Sequence, residues 1–197
     1  MKNDKQKVVL IGGGQHAWTL LHVFESQGIT VVGYIAPTES LLSEKVSYLG
    51  DDHIIGDISI KLQCKFFIAL GFYNRTTLLK YVKFYKEYSS LIDLSDPLVH
   101  PSAYFSSFSS IKRGTYIGPK ALINDNVSVG YSCIINSGAI IEHGCKIGNG
   151  CHIAPGAIVC GGTKIGDFSI IGAGSVLLNN LVIETETIVK AGTTVTH

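Results

Sequence analysis

The chain has 197 residues, and its 16 Lys and Arg against 15 Asp and Glu leave a formal charge of +1, which excludes nucleic-acid or anionic-membrane binding through bulk charge. Charged residues make up 16% where about 25% is usual, hydrophobics reach 46% and glycines number 22, the make-up of an ordered, tightly turned protein. No apolar run approaches the roughly 18 residues of a membrane span, and the cysteines, odd in number at 5 and without Cys-x-x-Cys spacing, indicate neither a disulfide framework nor a zinc knuckle.

In chain order, Met1-Lys2-Asn3-Asp4-Lys5 leads straight into a strand-like run with Gly12-Gly13-Gly14 behind it. That reads as no signal peptide, and a cytoplasmic location is expected. Lys7 to Ile11 predicts a buried strand, His16 to Gln27 a helix ending at Gly28, and Ile29 to Ile35 a second strand. Cys64 to Leu70 predicts a third strand, Asn74 to Tyr88 a second helix, and Leu91-Ile92 a last short strand. This alternation implies a small Rossmann-like parallel sheet with helices on its faces, over residues 1–96.

Gly12-x-Gly14-x-x-Ala17 satisfies the dinucleotide fingerprint formally. The acidic residue that would hold an NAD ribose at the end of the second strand is missing, since that place reads Gly33-Tyr34-Ile35-Ala36-Pro37. Binding of a nucleotide phosphate or nucleotide-sugar at the helix N-terminus, or a tight turn alone, are the readings left open.

From Pro97 onward the pattern changes to a period of six. Starting at Ile111, every sixth residue through Ile117, Ile123, Val129, Ile135, Ile141 and on to Val195 is Ile, Val or Leu. Four residues after each stands a mostly small residue, among them Cys133, Cys145 and Cys151, which reads as inert core filling. Three residues after each stands Gly or Asn in most rungs, the types that tolerate positive φ, so each hexad is a short strand closed by a turn. Hexad repeats of this kind form a parallel β-helix, here over residues 97–197.

An α/β unit with Gly-Gly-Gly-Gln-His-Ala is followed by Val99-His100-Pro101-Ser102-Ala103. Hexads with Ile141-Glu142-His143-Gly144-Cys145-Lys146-Ile147-Gly148 and His152-Ile153-Ala154-Pro155-Gly156-Ala157 come after it. This arrangement resembles the sialic acid O-acetyltransferase and nucleotide-aminosugar N-acetyltransferase family of bacterial surface-glycan biosynthesis. The resemblance spans nearly the whole chain. It implies a left-handed β-helix of three hexads per coil, a homotrimer with active sites at subunit interfaces, acetyl-CoA as co-substrate and no metal. It also implies transfer to the C4 amine of a UDP- or dTDP-linked 4-amino-4,6-dideoxyhexose. A sugar hydroxyl as acceptor, or a nucleotide-binding scaffold without catalysis, are the alternatives.

By resemblance, His143 is the general base, a role that suits an imidazole titrating near working pH. The Gly161 N–H matches the donor to the developing oxyanion, with Gly162 beside it. Relatives often carry Asp or Glu directly after this histidine, where this chain has Gly144. One 18-residue coil before His143 stands Asp125, expected to supply the orienting hydrogen bond, with Glu142 as the weaker candidate. His152 matches a histidine near the acyl donor, and Gly12, Gly13, Gly14 and His16 match a nucleotide-sugar site. His143 and His152 lack the spacing of a three-histidine zinc centre.

Overall fold

A computed structural model describes residues 7–197, so the reading of Met1–Lys5 as no signal peptide lies outside the described residues. The described chain forms two compact units. One holds the residues up to Phe72 together with Leu79–Ser95, and the other holds Tyr73–Leu78 with Asp96–His197.

In the first unit β1 (Lys7–Ile11), β2 (Thr30–Ile35), β3 (Tyr48–Gly50) and β4 (Lys65–Ile68) form a parallel sheet in the order β3-β2-β1-β4. Helices α1 (Gln15–Ser26), α2 (Ile55–Leu62) and α3 (Arg75–Tyr88) accompany it. Val8, Val9, Leu10 and Ile11 are all buried, as expected of a central strand flanked on both sides. Gly28 closes α1 at φ +70°.

The last strand departs from expectation. Leu91 sits in an exposed turn with its N–H on the Tyr88 carbonyl, and the pairing is a single parallel bridge of Leu94 to Phe66. The Asp93 carbonyl and Ser95 N–H take the Phe66 backbone groups, so the pairing falls further along the chain than the apolar pair Leu91-Ile92 suggested. Two elements carried no clear period: β3 is only three residues long, and α2 follows a 3-10 turn of Asp52–Ile54, which Asp51 caps by accepting from the His53 N–H.

The second unit is a stack of two-residue parallel strands in three sheets, and it fits a left-handed β-helix. The first face runs from Leu98–Val99 through Tyr116–Ile117, Ile134–Ile135, His152–Ile153 and Ile170–Ile171 to Ile188–Val189. The second runs from Tyr104–Phe105 through Ile140–Ile141 and Ile158–Val159 to Thr194–Val195, and the third from Ser110–Ile111 through Lys146–Ile147 and Lys164–Ile165 to Val182–Ile183. Partners such as Ser128, Lys146 and Lys164 lie 18 residues apart. We call the edge after the first face the first edge, that after the second the second edge, and that after the third the third edge.

The inward aliphatics and the small residues four places on make one continuous core, with Ile141, Ala139, Cys145 and Cys151 fully buried. Each isoleucine there is worth about 1.5–3 kcal/mol of burial. A neighbouring Cys133 thiol and burial push the Cys151 thiol up, and burial raises that of Cys145, so both stay protonated fillers. At every sixth residue from Gly114 to Gly192 φ is positive, between 53° and 73°. The requirement holds even where the residue is Lys120, Ser132, Phe168 or Glu186, so the core aliphatics impose the turn on residues that do not favour it.

Candidate active site

Each corner of the stack leaves one backbone N–H, two residues after the inward aliphatic, outside the strand ladder. Such a donor needs a partner or water. At the third edge side chains one coil on supply it: the Tyr131 N–H donates to Asn149 Oδ1 at 3.0 Å, and the Asn149 N–H to Asp167 Oδ1 at 2.7 Å. At the first edge Pro119 and Pro155 carry no N–H, and the Ser137 N–H donates to Asn136 Oδ1 at 2.8 Å.

The second edge differs at the height of Asn149, while one coil on the N–H of Asp167 at the third edge and of Ala173 at the first also have no acceptor among the described residues. The Asp125 N–H donates to Asn124 Oδ1 at 2.8 Å, but among the described residues nothing accepts from the N–H of His143 or of Gly161. One coil above His143 stands Gly161, which has no side chain to offer. One coil above Gly161 stands Asn179, which is exposed and leaves the Gly161 N–H open. The contrast with Asn149 has a visible source: Asn149 is itself held from above, its Nδ2 donating to Asp167 Oδ2 at 3.4 Å, while Asn179 makes no hydrogen bond among the described residues.

Asp125, His143 and Gly161 stack in register, as Gly144 N to Asp125 O at 3.0 Å and Gly162 N to His143 O at 2.9 Å show. The His143 ring is exposed and leans up the stack across the bare Cα of Gly161. A Cβ on Gly161 would fall 2.7 Å from His143 Nδ1, so no other residue leaves room for the ring. Gly162 has φ +73°, and a Cβ there would strike the Asn180 amide. The result is an imidazole beside an unclaimed N–H in a notch of glycines.

The two carboxylates lean the other way. Asp125 accepts from the Ser106 hydroxyl, and Glu142 Oε2 accepts from Asn124 Nδ2 at 2.8 Å, each one coil down. The expected hydrogen bond from Asp125 to the His143 ring is therefore absent, because a nearer donor takes the carboxylate; none is made by Glu142 either.

His152 stands apart from this column. It lies on the first face, 9% exposed, with its Nε2 3.3 Å from Asn136 Nδ2, while the second edge lies across the stack from that face. One chain does not bring His143 and His152 together. His152 instead opens a groove of about 480 Å³ along the first face and first edge, bordered by Tyr73, Asn74 and Arg75 and ending at Lys190. None of these four was singled out from the sequence. The one signal was Asn74, whose side chain caps α3 by accepting from the Thr77 N–H at 2.9 Å.

In the α/β unit, Gly12 has φ +122°, and a Cβ there would lie 2.9 Å from the Ala69 carbonyl. A Cβ on Gly13 would meet Ser40 Oγ at 2.8 Å, and that hydroxyl donates to the Gly13 carbonyl. Gly14 is the N-cap of α1, without a side-chain cap and with open space around its Cα. His16 lies in the first turn beside Gly71. The turn thus leaves the start of α1 open where an anion would sit. A separate cavity of about 410 Å³ lies between Asp51-Asp52-His53 and the Lys80–Tyr88 stretch of α3, where burial and the charges of Asp51 and Glu87 raise the Asp52 carboxyl. No group able to hold a metal ion occurs, and no helix is long and apolar enough to cross a membrane, among the described residues.

Comparison with known proteins follows the same division. The model of a family described as the GMPPB C-terminal domain matches residues 98–197. No curated protein matches the chain. Among solved structures, PerB from Caulobacter crescentus in complex with CoA and GDP-perosamine is 28% identical with a TM-score of 0.85, over 97% of this chain and 89% of that one. A histidine-to-asparagine variant of perosamine N-acetyltransferase from the same organism, also with CoA and GDP-perosamine, is 27% identical with a TM-score of 0.85 and the same coverage. The acetyltransferase domain of PglB from Neisseria gonorrhoeae FA1090, at 21% identity and a TM-score of 0.86 over 97% and 91% of the two chains, shares the fold.

Proposed function

The chain belongs to the GMPPB C-terminal domain family, and from its likeness over nearly full length to acetyltransferases that hold CoA we propose that it is an acetyl-CoA-dependent N-acetyltransferase of a nucleotide-linked amino sugar. The observation that carries the reading is the His143 ring laid over Gly161 beside an N–H that nothing in the chain claims.

As the sugar amine attacks the thioester carbonyl, His143 takes its proton and the Gly161 N–H holds the carbonyl oxygen as it gains charge. The C–S bond then breaks, and the CoA thiolate takes the proton back from the imidazolium. Asp125, one coil down, and Glu142, the preceding residue, are the acidic residues beside His143 in the column and the chain. Asp125→Asn should lower kcat and shift its pH profile; an unchanged profile removes Asp125 from the mechanism.

Because His143 and His152 lie across the stack from one another, a site using both draws them from two copies. The second face supports this: its outward Leu122, Ile140, Ile158 and Val176 form a half-buried apolar stripe suited to a homotrimer. The pantetheine arm would lie in the glycine notch of one copy and along the groove of the next, beside His152. The nucleotide would sit on the Gly12–Gly14 turn near His16, in a Rossmann-like domain of residues 1–96.

The acceptor we assign is the C4 amine of a 4-amino-4,6-dideoxyhexose. The sequence leaves UDP, dTDP and GDP open as the carrier, and the relatives with GDP-perosamine make GDP one to compare. The test is thiol release from acetyl-CoA in the presence of UDP-, dTDP- and GDP-linked amino sugars and of sialic acid. Turnover with an amino sugar is expected; turnover with the hydroxyl acceptor alone, or with none, overturns the assignment.

A further inference from the structure

We propose that Lys190 receives a phosphate of coenzyme A and so makes the donor site select the full cofactor over a shorter pantetheine thioester. The inference rests on the acetyltransferase reading above. The groove that begins at His152 passes Ile170 and Ile188, each one coil further along the first face, over a distance of about 10 Å. Its wall at the first edge is built of Ala154, Ala173 and Ala191, small residues that keep the slot open. A narrow, mostly apolar channel with polar groups at its ends suits an uncharged pantetheine chain, and the charged end of that ligand needs a cation where the channel stops.

Two cations stand there. Arg75 is engaged, its Nη1 donating to the Glu186 carbonyl at 3.0 Å and lying 3.9 Å from the Glu186 carboxylate. Lys190 is exposed and makes no ion pair among the described residues. A flexible stem with a compact ammonium suits a phosphate group that arrives from solvent. A sugar nucleotide also carries a diphosphate, but the open N-terminus of α1 already offers it backbone donors, whereas of the two cations at the far end of the groove Arg75 is held by Glu186 and Lys190 is the one without an ion pair among the described residues.

Steady-state kinetics with acetyl-CoA and with acetyl-pantetheine, which lacks every phosphate, test the assignment. Lys190→Ala should raise KM for acetyl-CoA about tenfold, leaving kcat, the KM for acetyl-pantetheine and that for the sugar nucleotide unchanged. Lys190→Arg should restore most of the affinity. An equal change for both thioesters, a rise confined to the sugar nucleotide, or no change overturns the proposal. A wild-type enzyme that transfers acetyl from neither thioester overturns the parent reading as well, and is seen before any variant is made.

Discussion

The second and third edges of the β-helix share one backbone path and, at the height of His143, differ in how they treat the same donor. At the third edge Asn149 and Asp167 reach down one coil and close the N–H of the residue below. At the second edge Gly161, one coil above His143, has nothing to reach with, and Asn179, one coil above Gly161, carries a suitable amide and does not use it; the donors of His143 and Gly161 stay open, as does that of Asp167 among the described residues. A donor left open at a corner forgoes stability that a capping oxygen supplies. At the height of Asn149 the third edge is closed from within the chain while the N–H of His143 is open to an oxygen from outside; further along the stack the N–H groups of Asp167, Ala173 and Thr185 also have no acceptor among the described residues, so it is the imidazole beside the open donor that marks the second edge.

Breaking the open edge should have the largest effects. His143→Ala removes the proton acceptor and should lower kcat by about 10²–10⁴ with the assembly intact by sedimentation. A variant near the wild-type rate would refute the assignment of the base. Asn179→Asp gives the second edge the arrangement of the third, where an Asp stands one coil above the donor it closes. With a carboxylate competing for the Gly161 N–H, kcat should fall by about 10²–10³, the value of one oxyanion donor, without a lower Tm. Retained activity in a variant whose crystal structure shows that carboxylate on the Gly161 N–H would separate the donor from catalysis.

That contrast also marks what the amino-acid sequence made legible. The six-residue period fixed the three faces, the buried Cys133, Cys145 and Cys151 and the positive-φ corners, because one inward aliphatic per hexad decides the register and everything else follows from sterics. The 18-residue step likewise placed Asp125, His143 and Gly161 in a column. Side-chain direction was not legible. Whether Asp125 turns toward His143 or toward Ser106 depends on which donor is nearer, and periodicity carries no information on that. Asn149 and Asn179 make the same point, since they hold equivalent corner places and only Asn149 caps the coil below. The groove at Tyr73–Arg75 was hidden for another reason: Tyr73–Leu78 packs within the unit of the hexads, although the hexads begin only further along the chain. In the α/β unit, short elements such as β3 and the displaced bridge at Leu94 depend on pairing across the sheet rather than on local pattern.

The closed edge should answer in stability and not in rate. Asp167→Ala leaves the Asn149 N–H without its acceptor and should cost about 1–3 kcal/mol, read as a lower urea midpoint, with kcat and both KM values unchanged. A loss of activity of similar size would mean that the two edges are not independent, and that the division between a structural and a functional corner is too simple.

The smallest effect concerns the corners that obey the turn with an unsuited residue. Lys120 holds φ at 58° on the first edge, where a side-chain-bearing residue is penalised by roughly 1–2 kcal/mol relative to its preferred conformation. Glycine removes that penalty but loses more backbone entropy on folding, by about 0.5–1 kcal/mol. Lys120→Gly should therefore stabilise the fold slightly, by about 0.5 kcal/mol from the difference of those terms, with unchanged kinetics. The Lys120 N–H keeps its acceptor in the variant, since Ser102 Oγ lies 3.2 Å away and the bond does not involve the side chain at 120. A destabilised Lys120→Gly would mean that the lysine stem contributes packing along this edge, and that the positive-φ corners are held by more than the pull of the core aliphatics.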